Sequence, residues 1–310
     1  MTTAKGFTDK SVADQSGKTF VVTGANAGIG LEIARVLALR GARVLMACRD
    51  IAKFQAAAAD IRRTAPQSEL AWLPLDLVDL ASVRDAAAIV EQESHLHGLI
   101  NNAGVMIPPL TRTQQGFELQ FGVNHLGTFA LSSLLLPKLA ATPGARVVVT
   151  SSIAHIKGYI EWDDINAERT YHRAARYRSS KLANALHFFE LDKRLRAAGS
   201  SVLSVGCHPG VAYTRLGRYM GIAQLAGPAV GLLLNTAAQG AWPALQAATG
   251  AVVPGGYYGP LGFAEMRGVS GAAKRSAGAM DPEAARRLWE MSVEMTGIDP
   301  GLAEAKWPDS

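Results

Sequence analysis

Cysteine is scarce in this chain: its 310 residues hold two, Cys48 and Cys207, each at the end of an expected interior strand. They are too few for a disulfide framework. The opening stretch, Met1 to Gly17, mixes Thr, Lys, Asp and Ser without an apolar signal core. It reads as a flexible lead-in and not an export signal, and with the reduced cysteines it points to a cytoplasmic protein. Long apolar runs are missing as well. Leu225 to Leu234 is the longest, and Gly227, Pro228 and Gly231 interrupt it. A bilayer crossing needs roughly 20 consecutive apolar residues, so no membrane span is expected. The net charge of +5 is not gathered into any Lys/Arg run, and no aromatics interleave with it. That excludes nucleic acid as the expected partner and leaves a diffusely basic surface that favours an anionic ligand. Internal repeats and interdomain linkers are also lacking. At 310 residues and 48% hydrophobic content, the chain suits one large α/β core with a small cap.

What is present begins with Phe20 to Leu31. Phe20, Val21 and Val22 read as a buried strand, and Ile29, Ile33, Val36 and Leu37 recur at helical spacing. Between them stands Thr23-Gly24-Ala25-Asn26-Ala27-Gly28-Ile29-Gly30. Gly24 suits a tight turn, Gly28 lets the backbone approach a pyrophosphate, and Gly30 lets the helix lie close on the sheet. The free N–H groups of the helix start then face an anion. Taken alone, the glycines fit a simple strand-to-helix turn equally well.

Strand and helix keep alternating. Ala42 to Cys48 forms a second strand, Asp50 to Arg63 a helix, Leu70 to Leu75 a third strand ending at Asp76-Leu77, and Asp79 caps a helix to about Ser94. A fourth strand, Leu96 to Ile100, leads into Asn101-Asn102-Ala103-Gly104. A long helix is expected from Gln115 to about Leu139, a fifth strand from Arg146 to Thr150, a helix from Tyr177 past Leu195, and a sixth strand from Val202 to Val205 before Cys207-His208-Pro209-Gly210. Six alternating strands imply a doubly wound parallel sheet of the Rossmann type, with right-handed crossovers placing every strand end along one rim. The glycine-punctuated stretch from about 211 to 235 suits a lid, Gly255 to Pro260 an edge strand, and Pro282 to Thr296 a closing helix. Residues 1–17 are thus expected as a lead-in and 18–310 as a single domain.

In such a fold, the end of the second strand lies beside the adenosine ribose of a bound dinucleotide. An acid there would accept from the 2′-hydroxyl of NAD, whereas an arginine would pair with the 2′-phosphate of NADP. Cys48 holds the acid's place and Arg49 follows. NADP is therefore the expected cofactor, with NAD the alternative.

Tyr177 and Lys181 stand four apart in Tyr177-Arg178-Ser179-Ser180-Lys181 and share one helix face. A free phenol near pKa 10 is a poor acid-base group at neutral pH, and a nearby ammonium is expected to lower it. Tyr177 then serves as proton donor to a carbonyl or acceptor from an alcohol. Ser152 at the end of the fifth strand and Asn124 within the preceding helix should reach the same rim. No Gly-x-Ser-x-Gly elbow surrounds these serines, which excludes acyl transfer. The His-x-His of His95 and His97 straddles a helix end and makes no metal site, while His125, His155 and His208 show no partner pattern.

The glycine turn, Asn-Asn-Ala-Gly, the Ser152, Tyr177 and Lys181 set with Asn124, and Pro209-Gly210 followed by Thr214 resemble the short-chain dehydrogenase/reductase family from Lys18 to Thr214. The resemblance implies roles. Ser152 polarises the substrate oxygen, with Ser151 the alternative one residue away. Tyr177 transfers the proton, Lys181 holds the nicotinamide ribose, and Asn124 positions a water behind Lys181. Gly24, Asn26, Gly28, Ile29, Gly30, Arg49, Asp76, Leu77, Asn102, Ala103 and Gly104 line the cofactor, and Pro209, Gly210, Val211 and Thr214 contact its nicotinamide end. Ala47-Cys48-Arg49-Asp50, the serine-to-tyrosine spacing and Leu288-Trp289-Glu290-Met291-Ser292 are similar to the retinol dehydrogenase-like branch. That implies an oxidoreductase for a hydrophobic carbonyl compound or alcohol, with a steroid or polyketide ketoreductase as runner-up and a non-catalytic nucleotide-binding sensor as the competing class. Bulky apolar substrate is expected beneath the lid. Apolar surplus on the Gln115–Leu139 and Tyr177–Leu195 helices, including Phe129, Leu134, Leu135, Phe188 and Phe189, implies a homodimer, or a tetramer.

Overall fold

A computed structural model describes residues 6–211 and 234–304. The run Thr19–Thr23 forms β1, buried at every position, because both of its faces must be covered. Around it lie β2 (Arg43–Cys48), β3 (Leu70–Pro74), β4 (Gly98–Asn101), β5 (Arg146–Thr150) and β6 (Leu203–Cys207), followed by β7 (Tyr257–Pro260) and β8 (Ser270–Ala272). They make one eight-stranded sheet in the order β3-β2-β1-β4-β5-β6-β7-β8. All pairings are parallel except that of β7 with β8. The doubly wound Rossmann-type architecture expected from the alternation is thus present. Strand order reverses between β1 and β4, which opens a crevice at their carboxyl ends.

Helices α1 (Gly28–Leu39), α2 (Ile51–Arg62) and α3 (Leu80–Val90) follow the first three strands. Between β4 and β5 the chain turns through α4 (Leu119–Phe121), a π-helical turn (Gly122–Leu126) and α5 (Gly127–Ala140). Beyond β5 come α6 (Arg173–Ala197), α7 (Ala237–Thr249) and α8 (Pro282–Thr296). One core lies on the face covered by α3, α5, α6 and α8 and a second on the face covered by α1, α2 and α7.

Several sequence expectations change. The helix expected from Gln115 starts at Leu119, because Gln115 is held in the preceding turn: its Oε1 accepts from Leu80 N at 3.2 Å and its Nε2 donates to Asp79 at 2.9 Å. The Tyr177 helix begins earlier, at Arg173. Strand β8 has three residues, two of them Ser and Gly, too short to leave an alternating pattern. The lead-in is anchored from Gly6 onward: Phe7 and Ser270 exchange two backbone hydrogen bonds, and Val12 and Gln15 are buried. A single bridge and one apolar anchor carry no periodic signal. Of the expected lid, residues 212–233 lie outside the described residues, and Thr214 with them.

The surplus apolar face assigned to a second copy is covered from within. Phe129, Leu135 and Phe188 are fully buried, and Leu134 and Phe189 are half-buried. Helix α8 lies on α6, and its Trp289 meets the Phe129 ring edge-on at 5.2 Å and the Arg194 guanidinium at 4.6 Å. These side chains therefore give no argument for a dimer. Asp281 caps α8 by accepting from Glu283 N and Ala284 N, and Gly297 ends it at φ +63°.

Candidate active site

The crevice is built from glycines outward. Gly24 sits at φ +68° and Gly28 at φ +57°, both in the left-handed region. A Cβ on Gly30 would stand 2.3 Å from Gly24 O and 2.6 Å from Asn102 Nδ2, so α1 can approach β4 this closely only there. Ala27, the N-cap of α1, offers no side-chain cap. The first N–H groups of α1 thus fit a phosphate. Thr23 fastens the turn: its Oγ1 accepts from both Asn102 N and Ala103 N at 2.9 Å, and Asn102 Nδ2 donates to Thr23 O at 3.0 Å. Asn26 and Ile29 lie half-buried on the same turn.

At the ends of β2 and β3, Arg49 Nη1 lies 3.9 Å from Asp76 Oδ2, with the arginine side chain 63% exposed. Asp76 is fixed in place, its N donating to Ser82 Oγ at 2.9 Å and its Oδ1 accepting from Val78 N at 3.1 Å. Leu77 is buried beside Gly127. Asp50, the other acid nearby, is committed as N-cap of α2, accepting from Ala52 N and Lys53 N. Those bonds use Oδ1, and Oδ2 lies 3.3 Å from Lys53 Nζ; the exposed Arg49 pair is weak enough to yield to an incoming phosphate.

Tyr177 and Lys181 share the buried face of α6, with Nζ 5.9 Å from the Tyr177 ring centre. Ser152 Oγ accepts from Ala154 N at 3.1 Å and lies beside the Tyr177 phenol. Ser151 is excluded from that position: it is buried and its Oγ donates to Lys181 O at 2.7 Å. Lys181 Nζ donates to Thr150 O at 3.1 Å, and burial lowers its pKa to about 8. Tyr177 departs from expectation. Burial pushes its phenol up from the usual value and the neighbouring Ser152 hydroxyl only opposes that rise. The ammonium is turned to the Thr150 carbonyl, so in the free protein it does not offset the desolvation of the phenolate.

Asn124 occupies the π-helical turn, where Gly127 N reaches back five residues to Gly122 O. Its side chain is engaged at both ends. Oδ1 accepts from Val105 N at 2.7 Å, and Nδ2 donates to Val105 O and to Ser180 Oγ, each at 2.9 Å. Ser180 in turn donates to Tyr177 O at 2.8 Å. Gly104 makes room for this clamp: a Cβ there would sit 3.0 Å from Asn124 Oδ1 and 3.6 Å from Lys181 Nζ. Pro209-Gly210-Val211 closes the far side, with Gly210 at φ +70°. Sequence reading missed Thr23, Ser180 and Asn184, whose Nδ2 joins Lys181 on the Thr150 carbonyl at 3.0 Å. Positions 180 and 184 fall on the helix face of Tyr177, a signal that was present.

A strand-turn-helix glycine cradle meeting a buried Tyr-x-x-x-Lys and serine at one sheet edge is an arrangement suited to dinucleotide-dependent oxidation and reduction. The short chain dehydrogenase family profile matches residues 18–222, and the chain belongs to that family, oxidoreductases acting on CH–OH groups, in its retinol dehydrogenase-like branch. It is 42% identical to human retinol dehydrogenase 13 over 313 residues, covering 96% of this chain and 90% of that protein. Human retinol dehydrogenase 12 is 42% identical over 286 residues, covering 91% and 87%. Among solved structures, an uncharacterized protein from Mycobacterium paratuberculosis superposes with TM-score 0.80 at 38% identity, covering 96% of this chain and 100% of that one. The Pseudomonas aeruginosa RhlG/NADP active-site complex superposes with TM-score 0.61 at 27% identity, covering 79% and 94%. Among the described residues, no helix is long and apolar enough to cross a membrane.

Proposed function

We propose that the protein is an NADP(H)-dependent oxidoreductase that interconverts a hydrophobic carbonyl compound and its alcohol, with Tyr177 as the acid-base group. One observation carries this reading: the buried Tyr177 phenol and Lys181 share one face of α6 beside Ser152, at the crevice opened by the glycine turn. The NADP held by the RhlG complex and the names of the retinol dehydrogenases support it. When bound, the cofactor supplies or accepts the hydride.

The chain's residues do the rest. Ser152 Oγ donates to the substrate oxygen, and Tyr177 gives up its phenolic proton in reduction or takes one in oxidation. The raised phenol is neutral at physiological pH, which is the donating form. Lys181 offers an ammonium to the ribose. The Asn124 amide is held by Val105 and Ser180, and Asn124 positions a water behind Lys181. Val105, Met106 and Ile107 follow Gly104 and are partly exposed, supplying apolar surface next to Asn124. This suits a substrate without charge.

Lysine in the free protein is charged below its folded pKa of about 8 and neutral above it. NADPH binding should accordingly weaken as pH rises through 8, and the dependence should vanish in Lys181→Met. Fluorescence titration of NADPH across that range checks it; equal pH dependence in both proteins contradicts the role given to Lys181. The function itself is tested by following NADPH and NADH oxidation against aldehydes and ketones of increasing apolar size. Specificity constants should climb from acetone-sized to ring-bearing compounds, at about 25 cal/mol per Å² of apolar surface buried. Better turnover of small or multiply charged substrates contradicts it.

A further inference from the structure

His208 follows the last residue of β6, immediately before Pro209-Gly210, is fully buried, and has no part in the chemistry described above. Its two ring nitrogens have defined roles. Gly210 N–H donates to Nδ1 at 3.2 Å, so Nδ1 carries no proton. Nε2 therefore bears it and donates to Glu265 Oε2 at 3.0 Å. The other carboxylate oxygen of Glu265 accepts from Lys274 N at 3.0 Å.

The ring is locked in this orientation. A Cβ on Gly259 would come within 2.1 Å of His208 Nε2, so that backbone lies hard against the imidazole. The Tyr257 ring packs on it at 5.3 Å between centroids. Glu265 and its neighbour Ala264 sit at φ +57° and +50°, a left-handed conformation that non-glycine residues avoid. The loop accepts that strain while presenting its carboxylate to a histidine. The same loop also grips the turn directly: Val211 N donates to Met266 O at 2.9 Å, and a Cβ on Gly210 would stand 2.3 Å from Met266 O. Asn235 completes the clamp, donating to Pro209 O at 2.9 Å and accepting from Gly268 N at 3.2 Å.

We propose that Glu265 and His208 are positioning residues, a hydrogen-bonded relay from the 262–268 loop to the Gly210 N–H that sets the Pro209-Gly210-Val211 turn for the nicotinamide end of the cofactor. The inference rests on the cofactor reading above. It makes the 262–268 loop part of the cofactor site and not merely an edge connection between β7 and β8.

The test is NADPH affinity, by fluorescence titration, beside the melting temperature of each variant. In His208→Asn the side-chain oxygen takes the place of Nδ1 and still accepts from Gly210 but the link to Glu265 is lost, so Kd should rise only about three- to tenfold. In His208→Gln the amide takes the place of Nε2 and leaves Gly210 without its acceptor, so Kd should rise about tenfold or more. A purely structural histidine gives the opposite order, because Asn leaves the larger cavity. Glu265 is partly exposed, and its variants keep the test decisive if the His208 variants do not fold. Glu265→Ala should weaken binding by about three- to tenfold, and Glu265→Gln, which still accepts from Nε2, should restore it to within about twofold. Unchanged Kd in every folded variant, or Kd values that track melting temperature, overturns the relay. A wild-type protein that binds no NADPH overturns the cofactor reading itself.

Discussion

Tyr177→Phe should lower kcat by about 10² to 10⁴ while NADPH still binds, the range expected when a general acid-base group is removed. The substitution deletes one hydroxyl from a side chain that is 9% exposed and packed on α6, so the fold should tolerate it. Its ring keeps its place near Lys181 Nζ. What disappears is the hydroxyl proposed to exchange a proton with the substrate oxygen. The loss should fall on kcat and on kcat/KM alike, the signature of an interaction made in the transition state. Steady-state rates with cofactor affinity measured in parallel check this. A mutant with more than about a tenth of wild-type kcat excludes Tyr177 from the role, since that is below the smallest contribution such groups make.

Arg49→Ala should reduce the preference for NADPH over NADH by about ten- to hundredfold, equivalent to about 1.4 to 2.7 kcal/mol, with NADH affinity nearly unchanged. The geometry explains the asymmetry. Among the described residues Arg49 is tethered to Asp76 alone, at 3.9 Å and largely in solvent, so little is lost in the free protein when it is removed. A charge-assisted pair to a 2′-phosphate would be lost in full. Cys48 stands where an acid would accept from the NAD ribose, its Sγ 3.6 Å from Asp50 O, and Asp50 Oδ1 is engaged in capping α2. Titration of both cofactors against both proteins decides the matter. An unchanged ratio, or a wild type that binds NADH as tightly as NADPH, contradicts the assignment.

The sheet was legible because its strands are nearly continuous apolar runs bounded by glycines and polar residues, and because β1 is buried on both faces. Pro282–Thr296 was legible from the inward spacing of Ala285, Leu288 and Trp289. What stayed hidden depends on tertiary contact. No local pattern announces that Gln115 will be captured by α3, that Phe7 will pair with Ser270, or that α8 will bury the Phe129 face. At the site, residue identities were readable from Tyr177, Lys181 and the glycines, but the protonation balance was not. Spacing puts a lysine near a tyrosine; only the fold shows the ammonium turned to Thr150 O and the phenol desolvated. Likewise His208 offered no partner within its own stretch, because Glu265 reaches it from a loop remote in sequence.

Isotope transfer tests the central claim most directly. NADPH deuterated at the transferable position of its nicotinamide is incubated with the protein and an apolar ring-bearing aldehyde, and the alcohol is examined by mass spectrometry. The account predicts one deuterium on the carbinol carbon of the product, formed at a wild-type rate and far more slowly by Tyr177→Phe. Alcohol without the label, or label transfer at equal rates by both proteins, would contradict it.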